Sequence, residues 1–207
     1  MNKRILILKL GALGDILMST PAINAICREH EKDEVFLFTS TNFLPVFKDW
    51  PDIHVIGVPR KGLTASLKTI ARIRKNRFDR IYDLQSNDRS RLYCIFSGSK
   101  EVVGNHNIYP YTIHPGDSYH GQCHIAEWHQ KVLRRAGIET EDNTPWLPET
   151  EEGRNRVRNW LSQQGLEGEK LVLIHAGASP GRPEKRWPYF QELLRMLFRL
   201  RWKCKRK

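Results

Sequence analysis

The chain has 207 residues, 40% hydrophobic and 28% charged, proportions that permit a buried core and exclude a disordered, collagen-like or disulfide-scaffold protein. Its formal net charge of +11 points first to an anionic partner. Six of those excess charges, however, fall in residues 199–207 (RLRWKCKRK), and no recognition motif accompanies the others, so a nucleic-acid-binding role is not expected.

The opening, MNKRILILKLGALGD, is too interrupted by Lys9 and Asp15 for a signal peptide, and no small-residue cleavage site follows. Cys27, Cys94, Cys123 and Cys204 form no C-x-x-C pair, which points to a reducing compartment. A cytoplasmic protein is expected, with room for peripheral attachment to a membrane.

The first apolar run, Ile5 to Leu8, is continuous, as in a parallel strand buried on both faces. A glycine turn, Gly11-Ala12-Leu13-Gly14, follows, and then Ile16, Leu17, Ala22, Ile23 and Ile26 recur at helical spacing. Further along, strands are predicted at Val35–Thr39, His54–Val58, Arg80–Leu84 and Glu101–Val103, with helices at Thr64–Lys75 and Ser90–Phe96. This βαβα rhythm predicts a doubly wound α/β domain with its ligand loops along one edge of a parallel sheet.

Residues 105–122 break into a loop rich in His, Tyr, Pro and Gly. A helix is predicted over Ile125–Ala136, stopped by Gly137, and another over Glu151–Gln164, stopped by Gly165. The strand-turn-helix pattern then restarts with a strand at Leu171–Ile174, a loop at His175–Pro183 and a helix at Phe190–Leu200. The expected organisation is a first domain over 1–150, an interdomain helix and linker over 151–168, and the start of a second domain over 169–207.

Two segments carry chemistry. In Lys9-Leu10-Gly11-Ala12-Leu13-Gly14-Asp15 the glycines allow a tight turn close to a ligand, but the pattern is neither the dinucleotide fingerprint nor a Walker loop. Asp15 reads either as a helix N-terminal cap or as a general base taking the proton of an attacking hydroxyl. Lys9 reads as a ligand contact or as a solvated strand-end lysine. In His175-Ala176-Gly177-Ala178-Ser179 and the following Glu184-Lys185-Arg186-Trp187-Pro188, backbone amides and the Ser179 hydroxyl can hold phosphate oxygens. Lys185 and Arg186 can neutralise a departing diphosphate. Trp187-Pro188 equally reads as a plain helix start.

With KLGALGDILMSTPA, YDLQSNDRSR and HAGASPGRPEKRWPYFQELL in this order, the sequence resembles the bacterial lipopolysaccharide heptosyltransferases of glycosyltransferase family nine, over residues 1 to about 198. The resemblance implies a GT-B architecture of two Rossmann-like domains, here one complete domain and the first β-α unit of the other. It implies inverting transfer, without metal or other cofactor, from a nucleotide-activated heptose to a phosphorylated lipopolysaccharide inner core at the inner membrane. Asp15 then matches the catalytic base, and Ser179 and Lys185 match residues near the donor phosphates, with Arg186 beside them; Gly14 is assigned to the acceptor, as are the basic Arg60 and Lys61 from their position alone.

The chain departs from that family after Leu200, where no apolar strand and no later D-S-G-P-x-H type segment follow. Gly116-Asp117-Ser118-Tyr119-His120 lacks the proline and reads as a decoy. The expectation is a truncated transferase, inactive alone, and aggregation-prone because its second domain cannot cover Leu171–Ile174 and Phe190–Leu200. The alternative is a non-catalytic remnant that recognises phosphorylated glycolipid. The cluster of His114, His120, Cys123, His124 and His129 fits no standard metal spacing and is expected to edge the acceptor cleft or face solvent. Arg89 and Arg91 read as surface arginines or acceptor-phosphate contacts, and Trp128, Trp146 and Trp160 as packing residues.

Overall fold

The computed structural model describes residues 2–51, 53–59, 62–140, 143–178 and 181–199. The chain divides into two compact units, Met1–Arg154 and Asn155–Lys207.

The first unit is built on five parallel strands: β1 (Arg4–Leu8), β2 (Glu34–Ser40), β3 (His54–Val58), β4 (Arg80–Asp83) and β5 (Glu101–Gly104). Their spatial order is β3-β2-β1-β4-β5, the doubly wound order expected from the alternation of elements. All four apolar side chains of β1 are fully buried, but on opposite faces. Ile5 and Ile7 join a core with Ile16, Ile23, Ile26, Trp128, Val132 and Leu133. Leu6 and Leu8 join one with Phe38, Ile73, Phe78, Ile81 and Tyr93. A strand with helices over both faces has no solvent side, which is why its sequence runs apolar without alternation. Each such side chain contributes about 1.5–3 kcal/mol of burial.

The helical layers are α1 (Leu13–Leu17), α2 (Thr20–Glu29), α3 (Leu63–Asn76), α4 (Asp88–Ile95) and α5 (Ile125–Arg135). The helix expected after the glycine turn is two helices. Pro21 sits in the first turn of α2, where its missing N–H costs nothing and its ring would clash with the carbonyl of Leu17 in a continuous helix. The Leu17 carbonyl accepts from Thr20 Oγ1 at 2.7 Å instead. A 3₁₀ stretch at Thr41–Phe47, without a periodic signal in the sequence, joins β2 to β3 and buries Phe47.

The second unit contains most of α6 (Glu151–Gln163), a short 3₁₀ turn at Pro183–Lys185 and α7 (Phe190–Arg199). The strand expected at Leu171–Ile174 does not form. A strand needs a neighbour for its N–H and C=O groups, and no described residue pairs with this segment. Leu171, Val172 and Leu173 are exposed, Leu173 at 99%, and Ile174 is half-buried. Among the described residues helix α6 buries none, and Val157 and Trp160 on it are partly exposed, at 58% and 43%. Among the described residues no helix is long and apolar enough to cross a membrane.

Candidate functional site

In a doubly wound sheet the crevice opens where chain connections diverge to opposite sides, here between the ends of β1 and β4. The loop after β1 carries Gly11 and leads into α1, whose first turn carries Gly14 and Asp15, and the loop after β4 carries Gln85, Ser86 and Asn87.

Asp15 lies in the first turn of α1 with its side chain exposed. One oxygen, Oδ2, accepts from the Ala12 N–H at 3.3 Å, which supplies part of a helix cap. The remaining lone pairs are open to an incoming donor, as a general base requires. The capping and general-base readings of this residue are therefore compatible. Gly14 faces open space, with no atom within 4 Å of where a Cβ would sit. Gly11 does not: its φ is +143°, and a Cβ there would lie 2.7 Å from Phe43 Cε2. Only glycine holds this turn against the Phe43 ring without strain.

Lys9 is buried, with its Nζ donating to the Leu84 carbonyl at 3.1 Å. The solvated strand-end reading is thereby corrected: the residue directly continues a strand buried on both faces. Burial pulls its ammonium down to about 8, while the negative charges of Asp15 and Asp83 partly restore it. Asp83 closes β4 and is fully buried. Burial pushes its carboxyl up, opposed by the Ser86 N–H at 2.8 Å and the Tyr111 hydroxyl at 2.8 Å. Tyr111 reaches that carboxylate because residue 104 is glycine; a Cβ there would overlap the Tyr111 ring. Cys94, also buried against Asp83, has its thiol pushed well up by burial and by that charge.

His129, expected at a cleft edge or in solvent, lies in the core on α5. Neither ring nitrogen makes a hydrogen bond of good geometry, although the Leu84 carbonyl faces the ring. Burial, reinforced by the Lys9 charge, lowers it to about 3, so the ring is neutral. Its companions divide: His124 caps α5 by accepting from the Ala126 N–H, His114 accepts from the Gly116 N–H, and His120 is exposed. Among the described residues no three His, Cys, Asp or Glu side chains gather as metal ligands.

Arg89 points inward to its own fold, donating to the Pro59 carbonyl at 2.5 Å and the Tyr93 hydroxyl at 2.6 Å. Arg60, Lys61 and Ser179 lie outside the described residues. Lys185 and Arg186 belong to the second unit, and both are exposed. The Asp83, Gln85 and His129 arrangement was not identified from sequence. Its available signal was Asp-Leu-Gln at the end of a buried strand at the sheet's switch point.

Comparison with known proteins returns no matching protein-family model and no matching curated protein. Solved structures do match. A family 9 glycosyl transferase from Veillonella parvula DSM 2008 superposes with a TM-score of 0.76 and 22% identity, over 97% of this chain and 61% of that one. E. coli ADP-heptose lps heptosyltransferase II gives 0.68 and 19%, over 95% and 62%. E. coli heptosyltransferase WaaC with ADP-2-deoxy-2-fluoro heptose gives 0.60 and 15%, over 94% and 65%. The fold is thus the α/β fold of the GT-B-type family 9 enzymes, and the chain spans about three fifths of the length of the structures it matches.

Proposed function

We propose that this chain is the acceptor-side part of an inverting heptosyltransferase, with Asp15 as its general base. The carrying observation is the exposed Asp15 carboxylate at the β1–β4 switch point of a fold shared with enzymes described as using ADP-heptose. The donor is a nucleotide-activated heptose, and the acceptor is a phosphorylated lipopolysaccharide inner core presented at the cytoplasmic face of the inner membrane. Asp15 takes the proton from the acceptor hydroxyl as that oxygen bonds to the anomeric carbon. The bond to the diphosphate breaks on the opposite face, and the nucleoside diphosphate leaves with the electron pair, so configuration inverts. In this scheme Gly14 leaves space for the acceptor, Arg60 and Lys61 are assigned to its phosphates, Ser179 to a donor phosphate oxygen, and Lys185 and Arg186 to the charge of the leaving diphosphate. No metal is needed in this scheme.

A second reading, acceptor binding without catalysis, is favoured for the isolated chain by the exposed, unpaired Leu171–Leu173 segment leading to the donor loop. Calorimetric titration with heptose-free phosphorylated core glycolipid, paired with an assay of ADP release from ADP-heptose, tests both readings. Binding that weakens on dephosphorylation of the glycolipid, without ADP release, is expected of the chain alone. Fused to the donor half of a heptosyltransferase, it should release ADP, and Asp15→Asn should slow that release by about 10²- to 10⁴-fold. No glycolipid binding by the folded chain, or full turnover in the Asp15→Asn fusion, refutes the assignment.

A further inference from the structure

Two consecutive amides of the loop after β1, those of Leu10 and Gly11, donate to a single oxygen, Gln85 Oε1, at 2.9 and 3.1 Å. Donors and acceptor come from the two sides of the switch point. Gln85 is itself anchored: its N–H donates to Asp83 Oδ1 at 3.1 Å, the Ser86 N–H donates to the same oxygen at 2.8 Å, and Ser86 Oγ donates to the Asp83 carbonyl at 2.7 Å. Tyr111 fixes the other oxygen of that buried carboxylate. From the β2 side, the Ser40 hydroxyl donates to the Leu10 carbonyl, and the Phe43 ring packs against Gly11.

We propose that Gln85 is a positioning residue that holds the Leu10–Gly11 backbone so that Asp15 is presented in one place at the mouth of the crevice. Its relevance to catalysis rests on the reading of Asp15 as the base, whereas the clamp stands on the hydrogen bonds alone. The loop needs such a device. A glycine at a positive φ gives the chain wide conformational freedom four residues before the carboxylate. A general base works only when held within a fraction of an ångström of its productive position. A carboxamide also suits the place better than a carboxylate: its oxygen accepts both amides without bringing a third negative charge to Asp15 and Asp83.

Hydrogen exchange on the full chain, resolved to single residues by mass spectrometry at micromolar concentration, tests the clamp without reference to turnover. In Gln85→Leu, exchange at Leu10 and Gly11 should rise about tenfold. Exchange at Ala12, whose N–H donates to Asp15, should rise with them, while Ile5 to Leu8 stay protected. Gln85→Glu, which keeps the acceptor, should restore all three amides. Gln85→Met removes the acceptor at similar length and replaces the leucine variant if that chain does not fold.

Unchanged exchange at Leu10 and Gly11 overturns the proposal. So does a rise confined to those two amides with Ala12 unaffected, since Gln85 would then not position Asp15. A uniform rise along β1 that Gln85→Glu fails to correct makes Gln85 a packing residue only. If the clamp passes and the Asp15→Asn fusion still turns over, the catalytic reading fails while the clamp survives.

Discussion

The buried His129 makes the acid stability of the first unit a sharp test. The ring is 1% exposed and lowered from 6.5 to about 3, so the folded chain binds no proton there at a pH where the unfolded chain does. The folded pKa lies below the unfolded value of a base, so stability is lost as pH falls from about 6.5 toward about 3. Integrating that difference gives a loss of about 3 kcal/mol between pH 7 and pH 4. Carboxylates also titrate in this window, so the quantity to measure is a difference. Urea unfolding followed by circular dichroism would be run on the native chain and on His129→Leu across that range. Relative to the variant, the native chain should lose about 3 kcal/mol on acidification. A difference that stays constant to within roughly 0.5 kcal/mol would show that His129 is protonated in the fold, against the burial argument.

Three further outcomes are expected. Lys9→Met should stabilise the fold by about 2 kcal/mol at pH 7, the cost of holding its ammonium in the core less one bond to the Leu84 carbonyl. That advantage should vanish between about pH 8 and 10.5, where folding of the native chain releases a proton and its stability therefore rises with pH; a gap independent of pH removes Lys9 as its source. Gly11→Ala should lower stability by about 1–3 kcal/mol through its positive φ and the Phe43 ring, whereas Gly14→Ala, with open space around it, should not destabilise; equal melting temperatures for the two would refute the distinction. A chain ending at residue 168 should be more soluble by light scattering than the full chain, because Leu171 to Leu173 are exposed; a monodisperse full chain with one cooperative melt contradicts this.

What the sequence made legible followed periodicity. The five strands and α3 to α5 appear within one or two residues of their expected positions, because apolar runs and helical spacing report burial directly. The break between α1 and α2 was readable from Pro21 but was outweighed by the apolar spacing across it. Leu171–Ile174 is the instructive miss: a run of strand-forming residues states a preference, and only a neighbouring strand can satisfy it. Asp15 could be singled out as the proposed base because the segment around it has a recognisable pattern. Gln85 and His129 were not, since their positions depend on contacts between segments far apart in sequence, and the isolated residue types carry no sign of them.

Each anchor described above for the segment that leads to Asp15, Gln85, Ser40 and Phe43, lies within Met1–Arg154. The geometry of the proposed base is therefore an inherited property of one cassette. Recombination that exchanged the other half of such an enzyme would leave that geometry untouched, so donor choice and hydroxyl activation could diversify as separate traits.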